Sequence, residues 1–268
     1  MNIAILGAGI IGVTTAYELA ADGHQVTVFE RHASVAEGAS FANAGVVAPG
    51  YVTPWAAPGM PGKVLRHLLA RHAPVRVRRP LAAADLAWMR QWRAACDPAT
   101  YAANRTRMLR LAFYSRHRLH EVAARMAYDF DRSSGYMVLL RGDRDRQMVQ
   151  PGLALLRELE VPFHEITADE ARQIEPALHP HTPLAGAVHL PQDEVGNCRQ
   201  FAVILRDAAE QLGARFVFNT AVSAVDTAQT ATLYIAGETA PQRFDAIVLC
   251  AGVQSAALLR PLGLRLPL

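Results

Sequence analysis

Residues 2–30 constrain this chain more than any other stretch. Asn2–Leu6 is a short apolar run suited to a buried strand. Gly7, Gly9 and Gly12 follow as G-x-G-x-x-G, Ile10–Ala21 has helical character, and Gly23 supplies a stop. "QVTVFE" predicts a second strand ending on Glu30. Strand, glycine turn, helix and strand in that order make a dinucleotide-binding βαβ unit. In such a unit the three glycines serve the tight exit from the strand, the approach of backbone to a pyrophosphate, and close packing of helix on sheet. The N–H groups around Ala8, Ile10 and Ile11 and the positive end of the helix dipole then face the phosphates. Glu30, at the tip of the second strand, is placed to accept both ribose hydroxyls of an adenosine. It would repel a 2′-phosphate, which disfavours NADP despite Arg31 beside it. The same pattern also suits a Rossmann-like fold without a ligand.

The stretch after Glu30 separates NAD from FAD. A nicotinamide domain usually continues into another helix and a third parallel strand. Here small residues, glycines and prolines dominate from Ala36 to Gly62, and neither a long helix nor a regular strand survives that many breakers. Long irregular loops inside compact domains are usually functional. A loop of Ala, Ser and Gly can lay its backbone against a large flat ring, and Ser40 and Asn43 add hydrogen-bonding groups. That favours an isoalloxazine over a nicotinamide; a surface loop with no ligand is the other reading of the same composition.

The chain has 268 residues, 51% of them hydrophobic and 19% charged, enough for one large domain or two modest ones and against extended disorder. Lys63 is the only lysine, so the net charge of +3 is almost wholly arginine and does not describe a nucleic-acid surface. Cys96, Cys198 and Cys250 have no metal or C-x-x-C spacing and suit a reducing compartment. The first apolar run is glycine-interrupted and too short to span a membrane. The expectation is a mature N-terminus and a cytoplasmic protein.

Further along, helices are predicted over Lys63–Ala73, Leu86–Ala95, Thr106–Met126, from "GDRDRQ" to about Glu160, over "TADEARQIEP" with a Thr167–Glu170 capping box, and over Cys198–Leu212. Strands are predicted at Gly135–Leu140, "VPFHEI", "AGAVHLPQDEVG", "ARFVFN", "TAVSAVD", "ATLYIAG" and "QRFDAIVLCAG". Met108, Leu111, Ala112, Leu119, Val122 and Met126 recur at helical spacing with arginines between them. That is either a core-packed helix with solvated arginines or a basic surface that meets lipid and a quinone. His164, His179, His181 and His189 fit no compact metal site. "AIVLCAG" ends in Ala251–Gly252, which reads either as a plain strand-to-helix turn or as a second contact to the dinucleotide.

"GAGIIGVTTAYEL", "VTVFER" and "EGASFANAGVVAPGYVTPWAAPGMPGKVLRHLLARHAP" together resemble the FAD-dependent D-amino-acid oxidoreductase superfamily, and within it the D-amino-acid dehydrogenase small subunits of bacteria. The resemblance continues through "GNCRQFAVILRDAAEQLGARFVFNTAV" and "AIVLCAGVQSAALLRPLGLRLPL". It implies an α/β fold: a Rossmann-like FAD-binding domain of the glutathione-reductase-like, D-amino-acid-oxidase type, with an inserted α+β substrate domain. The division it suggests is 1–85 with 193–268 for the cofactor and 86–192 for a helical connection and part of the substrate domain. It implies non-covalent FAD held by Gly7, Ala8, Gly9, Ile10, Ile11, Gly12, Glu30, Arg31, Ser40, Asn43, Ala44, Gly45, Val222, Ala251 and Gly252, with backbone of Val222 beside the adenine. The implied reaction is oxidative deamination of a D-amino acid to a 2-oxo acid and ammonia, with electrons leaving to a quinone or other acceptor. Peripheral contact with the inner membrane is part of that picture; nucleic acid is not. Family members continue beyond "RPLGLRLPL" into further substrate-domain strands and a glycine-rich return to the flavin. That missing part usually carries the carboxylate clamp, so no catalytic residue is assigned. The alternatives are a flavin-binding fragment without turnover and a glycine- or sarcosine-type amine oxidase.

Overall fold

A computed structural model describes residues 1–67, 81–126 and 129–266. In chain order the elements are β1 (Asn2–Leu6), α1 (Ile10–Ala21), β2 (Gln25–Phe29), β3 (Val46–Val47), α2 (Met60–His67), α3 (Ala83–Ala95), α4 (Pro98–Arg125), β4 (Ser133–Leu140), α5 (Asp143–Glu158), β5 (His164–Ile166), α6 (Ala168–Ile174), β6 (Gly186–Val195), α7 (Cys198–Gln211), β7 (Arg215–Val217), β8 (Val222–Asp226), β9 (Ala231–Ile235), β10 (Gln242–Phe244), β11 (Ala246–Leu249) and α8 (Ser255–Leu259). The chain divides into two compact units: Met1–Gly45, Tyr128–Arg132 and Gly196–Leu268 form the first, Val46–Ala127 and Ser133–Val195 the second.

In the first unit β11, β1, β2 and β7 lie side by side in one parallel sheet. β1 is central, and Ala4, Ile5 and Leu6 are almost fully buried, as a strand covered on both faces requires. A three-stranded antiparallel sheet, β10-β9-β8, completes the unit. Ala4, Leu6, Phe29, Leu233, Ile235 and Phe244 make one core, with Phe29 and Phe244 meeting edge to face at 5.9 Å between ring centres. The stretch "QRFDAIVLCAG" reads as one strand but forms two, β10 and β11, in different sheets. Asp245 marks the break: its carboxylate accepts from the Asn2 N–H at 2.7 Å and its own N–H donates to the Asn2 carbonyl at 2.8 Å.

In the second unit β3, β6 and β4 form an antiparallel sheet with β5 also on β6. Leu140, Leu153, Leu156, Val161, Val188 and Leu190 form its core between this sheet and α5. The Thr167–Glu170 capping box is present at α6. α4 starts at Pro98 rather than Thr106, because Asp97 accepts the Thr100 N–H at 3.0 Å and Pro98 suits a first helical turn. Of the predicted apolar stripe on α4, Val122 is buried but Leu111 is 68% exposed, while Leu109 and Arg105 are buried instead. The helix expected over Lys63–Ala73 begins at Met60; its part beyond His67, and the basic stretch 74–80, lie outside the described residues. Residues 46–67 and 81–85 belong to this second unit by contact, where the sequence division carried the cofactor part to 85: β3 pairs with β6, which draws the chain away at Gly45. The last boundary between the units falls at 195/196. Among the described residues no helix is long and apolar enough to cross a membrane.

Candidate dinucleotide site

The turn after β1 is locked by backbone. The Gly7 N–H donates to the Phe29 carbonyl at 2.8 Å and the Cys250 N–H to the Leu6 carbonyl at 2.8 Å, so β2 and the end of β11 flank it. A Cβ on Gly12 would lie 1.8 Å from the Gly7 carbonyl oxygen, and one on Gly7, at φ +100°, 2.6 Å from the Cys250 carbonyl oxygen. The chain's own packing therefore requires glycine at both positions. Gly9 differs. The nearest atom to a Cβ there is Ser40 Oγ at 3.4 Å, an ordinary contact. Among the described residues no other atom comes within 4 Å of such a Cβ, so the backbone at residue 9 lies open to an approaching group such as a pyrophosphate.

α1 begins beyond this turn, its first bond running from the Val13 N–H to the Gly9 carbonyl at 3.0 Å. The N–H groups ahead of that bond have no partner within the helix and face out of its start. One of them, Ile10, donates to Ser40 Oγ at 3.0 Å. Ser40 is buried and thus serves the helix start from the following loop, where the sequence suggested a group for the ring. Its hydroxyl proton remains available to a ligand. Ser40→Ala is expected to lower the stability of the chain by about 1 kcal/mol, the usual loss when a helix start loses its side-chain acceptor; urea unfolding followed by far-ultraviolet circular dichroism measures it.

Glu30 stands at the end of β2 and is 9% exposed. Its Oε2 accepts from the Ala8 N–H at 2.7 Å and its Oε1 from the His32 N–H at 2.9 Å. A carboxylate has about four lone-pair positions, so each oxygen keeps one for a ribose hydroxyl. The chain around it is pinned from the far end of the sequence: Glu30 N–H to Val217 carbonyl at 2.9 Å, Thr220 N–H to Glu30 carbonyl at 2.8 Å, and Asn219 N–H to His32 carbonyl at 2.9 Å. These bonds carry the segment leading to Val222, the first residue of β8, past the acid. Arg31 lies beside Glu30 with its Nε 3.1 Å from His32 Nε2.

Ala251 completes the rim: its Cα lies 3.2 Å from where a Gly7 Cβ would stand, and Gly252 follows at φ +55°. Gly7, Ala8, Gly9, Ile10, Gly12, Glu30, Ser40 and Ala251 are thus joined by direct contacts. Ile11 is 66% exposed at the start of α1. Asn43, Ala44 and Gly45 form a separate turn, in which Asn43 Oδ1 accepts from the Gly45 N–H at 2.8 Å. A Cβ on Gly45 would meet the Gly196 carbonyl at 1.9 Å, so glycine there serves packing. Two contributors escaped the sequence reading. Ala36, at φ +57°, donates its N–H to the Ala8 carbonyl at 2.9 Å and ties the loop to the glycine turn. Arg199 stacks its guanidinium over Phe41 at 4.4 Å and reaches Glu37 at 3.7 Å, holding the loop from α7. An alanine with positive φ and a cation–ring pair distant in sequence leave no local pattern.

The second unit has its own buried charges. Asp193 on β6 is 2% exposed; the Gly50 N–H lies 3.4 Å from its Oδ1 and Arg116 Nη1 3.6 Å from it. Burial pushes this carboxyl above the ordinary range, against the lowering by the Gly50 N–H and Arg116. The adjacent Glu194 contacts His120, one turn beyond Arg116 on α4. Tyr51 and Tyr136 have ring centres 5.3 Å apart, and burial first, then Tyr136, raises the Tyr51 hydroxyl. Among the described residues no group of three or more His, Cys, Asp or Glu is arranged to hold a metal ion; His164 and His189 are cross-strand neighbours on β5 and β6, and the His181 N–H donates to His179 Nδ1 at 3.3 Å.

The family described as FAD dependent oxidoreductase matches residues 2–268. A D-amino acid dehydrogenase of Cereibacter sphaeroides is 41% identical over 271 aligned residues, which cover all of this chain and 62% of that protein. Another, of Rhizobium johnstonii, is 39% identical and is covered to 65%. The chain therefore spans a little under two thirds of the length of these curated relatives. Among solved structures, glycine oxidase from Geobacillus kaustophilus superposes with a TM-score of 0.67 at 23% identity, over 99% of this chain and 59% of that one. Iminodiacetate oxidase from Chelativorans sp. BNC1 gives 0.64 at 21% identity, over 98% and 58%. These two likenesses are likenesses of fold.

Proposed function

Because this chain belongs to the FAD dependent oxidoreductase family, we propose that it holds FAD non-covalently in its first unit and supplies that cofactor to the oxidation of a D-amino acid to a 2-oxo acid and ammonia. The observation that carries the reading is the pairing of Gly9, a glycine the packing does not need, with Glu30, a buried carboxylate whose two oxygens each have a lone pair left. Identity of 39–41% over the full chain to D-amino acid dehydrogenases supports the substrate class.

Gly9 admits the pyrophosphate to the backbone, and the N–H groups at the start of α1 donate to it. Glu30 takes the adenosine ribose; Val222 and Arg31 flank the adenine end. Ser40 donates its hydroxyl proton, and the turn Asn43–Ala44–Gly45 offers backbone to the ring. Ile11, Ala251 and Gly252 border the phosphates. FAD held by these residues would supply the two-electron oxidation of the substrate Cα–N bond, the imine product going on to 2-oxo acid and ammonia by hydrolysis and the electrons to a quinone or another acceptor.

Adding FAD to purified chain and desalting tests the cofactor: the protein is expected to emerge yellow with quenched flavin fluorescence, and a large excess of NAD should not displace the flavin. A colourless protein after that treatment would overturn the reading. Turnover with D-alanine, glycine or sarcosine and a dye acceptor then distinguishes the dehydrogenase from a glycine-type oxidase, and binding without turnover describes a flavin-binding fragment.

A further inference from the structure

Between the glycine turn and α7 the loop of the first unit runs as a strap, tied at both ends by backbone. Ala36, at φ +57°, donates its N–H to the Ala8 carbonyl at 2.9 Å; at the other end Gly45, at φ +62°, accepts the Gly196 N–H at 2.9 Å. Every residue from 37 to 44 except Ser40 is exposed, so burial contributes little to holding this stretch in place. Its middle is joined to the start of α1 by the bond from the Ile10 N–H to Ser40 Oγ at 3.0 Å. The left-handed backbone at Ala36 is unfavourable for an alanine. The strap itself therefore has little to keep it closed.

Arg199 holds it from outside. α7 is a fixed base: Phe201, Ala202, Leu205 and Ala209 are buried, and Asn197 caps its start by accepting the Gln200 N–H at 3.0 Å. From the first turn of this helix the Arg199 guanidinium carbon stands 4.4 Å from the centre of the Phe41 ring, and Nη2 lies 3.7 Å from Glu37 Oε1. In the chain these two contacts lie on either side of Ser40, so one cation grips the strap before and after the residue that serves α1. The ion pair is partly in water, its side chains 44% and 33% exposed, and is the weaker of the two contacts. The stack on Phe41 is the stronger.

We propose that Arg199 is a positioning residue for the dinucleotide: its clasp on Phe41 and Glu37 holds the strap against the start of α1 and sets how fast FAD leaves. This role rests on the flavin reading of the same unit and adds to it that retention is governed from α7. A strap ordered before the cofactor arrives loses less freedom on binding, so the clasp lowers the cost of fixing Ser40 and the backbone beside it. Arg199 acts through Phe41 and Glu37, not on the cofactor itself.

Release of FAD from the loaded full-length chain, followed by recovery of flavin fluorescence on dilution, tests it. Arg199→Met is expected to release FAD about three- to tenfold faster, the effect of one ring stack and one exposed pair, while unfolding at the parent urea concentration. Phe41→Leu should behave alike, and the double variant should be no faster than either single one. Phe41→Tyr keeps the ring and should release FAD at the parent rate. In the cofactor-free chain, chymotrypsin should cut after Phe41 faster in Arg199→Met than in the parent. A parent chain that does not retain FAD sinks the flavin reading and this role with it. A parent that retains FAD, with release or chymotryptic cutting unchanged in Arg199→Met, sinks this role alone. So do additive effects of the Arg199 and Phe41 variants, slow release lost in Phe41→Tyr, or a fall in the urea midpoint of Arg199→Met that accounts for its faster release.

Discussion

Gly12→Ala is expected to destroy the first unit as a cofactor site and to destabilise the chain by on the order of 3 kcal/mol or more. The new methyl would stand 1.8 Å from the Gly7 carbonyl oxygen and 3.3 Å from the Cys250 Cβ. The Gly7 oxygen is backbone and cannot swing aside. Relief requires α1 to lift from β1, and that moves the helix start away from Ser40 and Glu30. Gly9→Ala is the matched control. Its methyl meets only Ser40 Oγ at 3.4 Å, and alanine in place of the N-cap glycine of α1 costs about 1 kcal/mol. That variant should lose far less stability than the glycine-12 variant yet fail to retain FAD after desalting. Equal stability of the glycine-12 and glycine-9 variants would show that the close approach at residue 12 is not what holds the turn.

Glu30→Gln is expected to cost both stability and cofactor. The carboxylate accepts one N–H on each oxygen, at 2.7 Å from Ala8 and 2.9 Å from His32. An amide of the same shape has one acceptor, so one backbone N–H is left facing an NH₂ group. Leaving a buried donor unpaired costs about 1–3 kcal/mol. A ribose that had two acceptors then has one, and FAD should bind about tenfold to a hundredfold more weakly. Urea unfolding gives the first quantity and a fluorescence titration with FAD the second. Unchanged FAD affinity in a folded variant would remove Glu30 from the ribose.

The parts of the fold written in local pattern were legible. β1, α1 and β2 fall where the apolar runs, the glycines and Glu30 place them, because strand, turn and helix are each decided within a few residues. The loop after Glu30 was legible as irregular but not in its detail: Ser40 serves the Ile10 N–H, a bond across 30 residues. β10 and β11 could not be separated by reading "QRFDAIVLCAG", because the break at Asp245 depends on Asn2, which is distant in the chain. Arg105 could not be told from its neighbours on α4 either. In an arginine-rich helix every arginine looks like a solvated one, and the buried one is chosen by what packs over it.

The central position of β1 sets a timetable for synthesis. Its partner on one side, β2, follows at once, whereas its partner on the other, β11, spans residues 246–249. A ribosome adding roughly 5–20 residues per second leaves the earliest segment waiting about ten to fifty seconds before that edge can be closed. Throughout the delay a strand of Ile3, Ala4, Ile5 and Leu6 has one flank without its native neighbour, the kind of hydrophobic edge on which chains stick to each other. A nascent chain of this design gains from a holdase early in translation, and in a cell short of chaperones its yield of folded protein should drop.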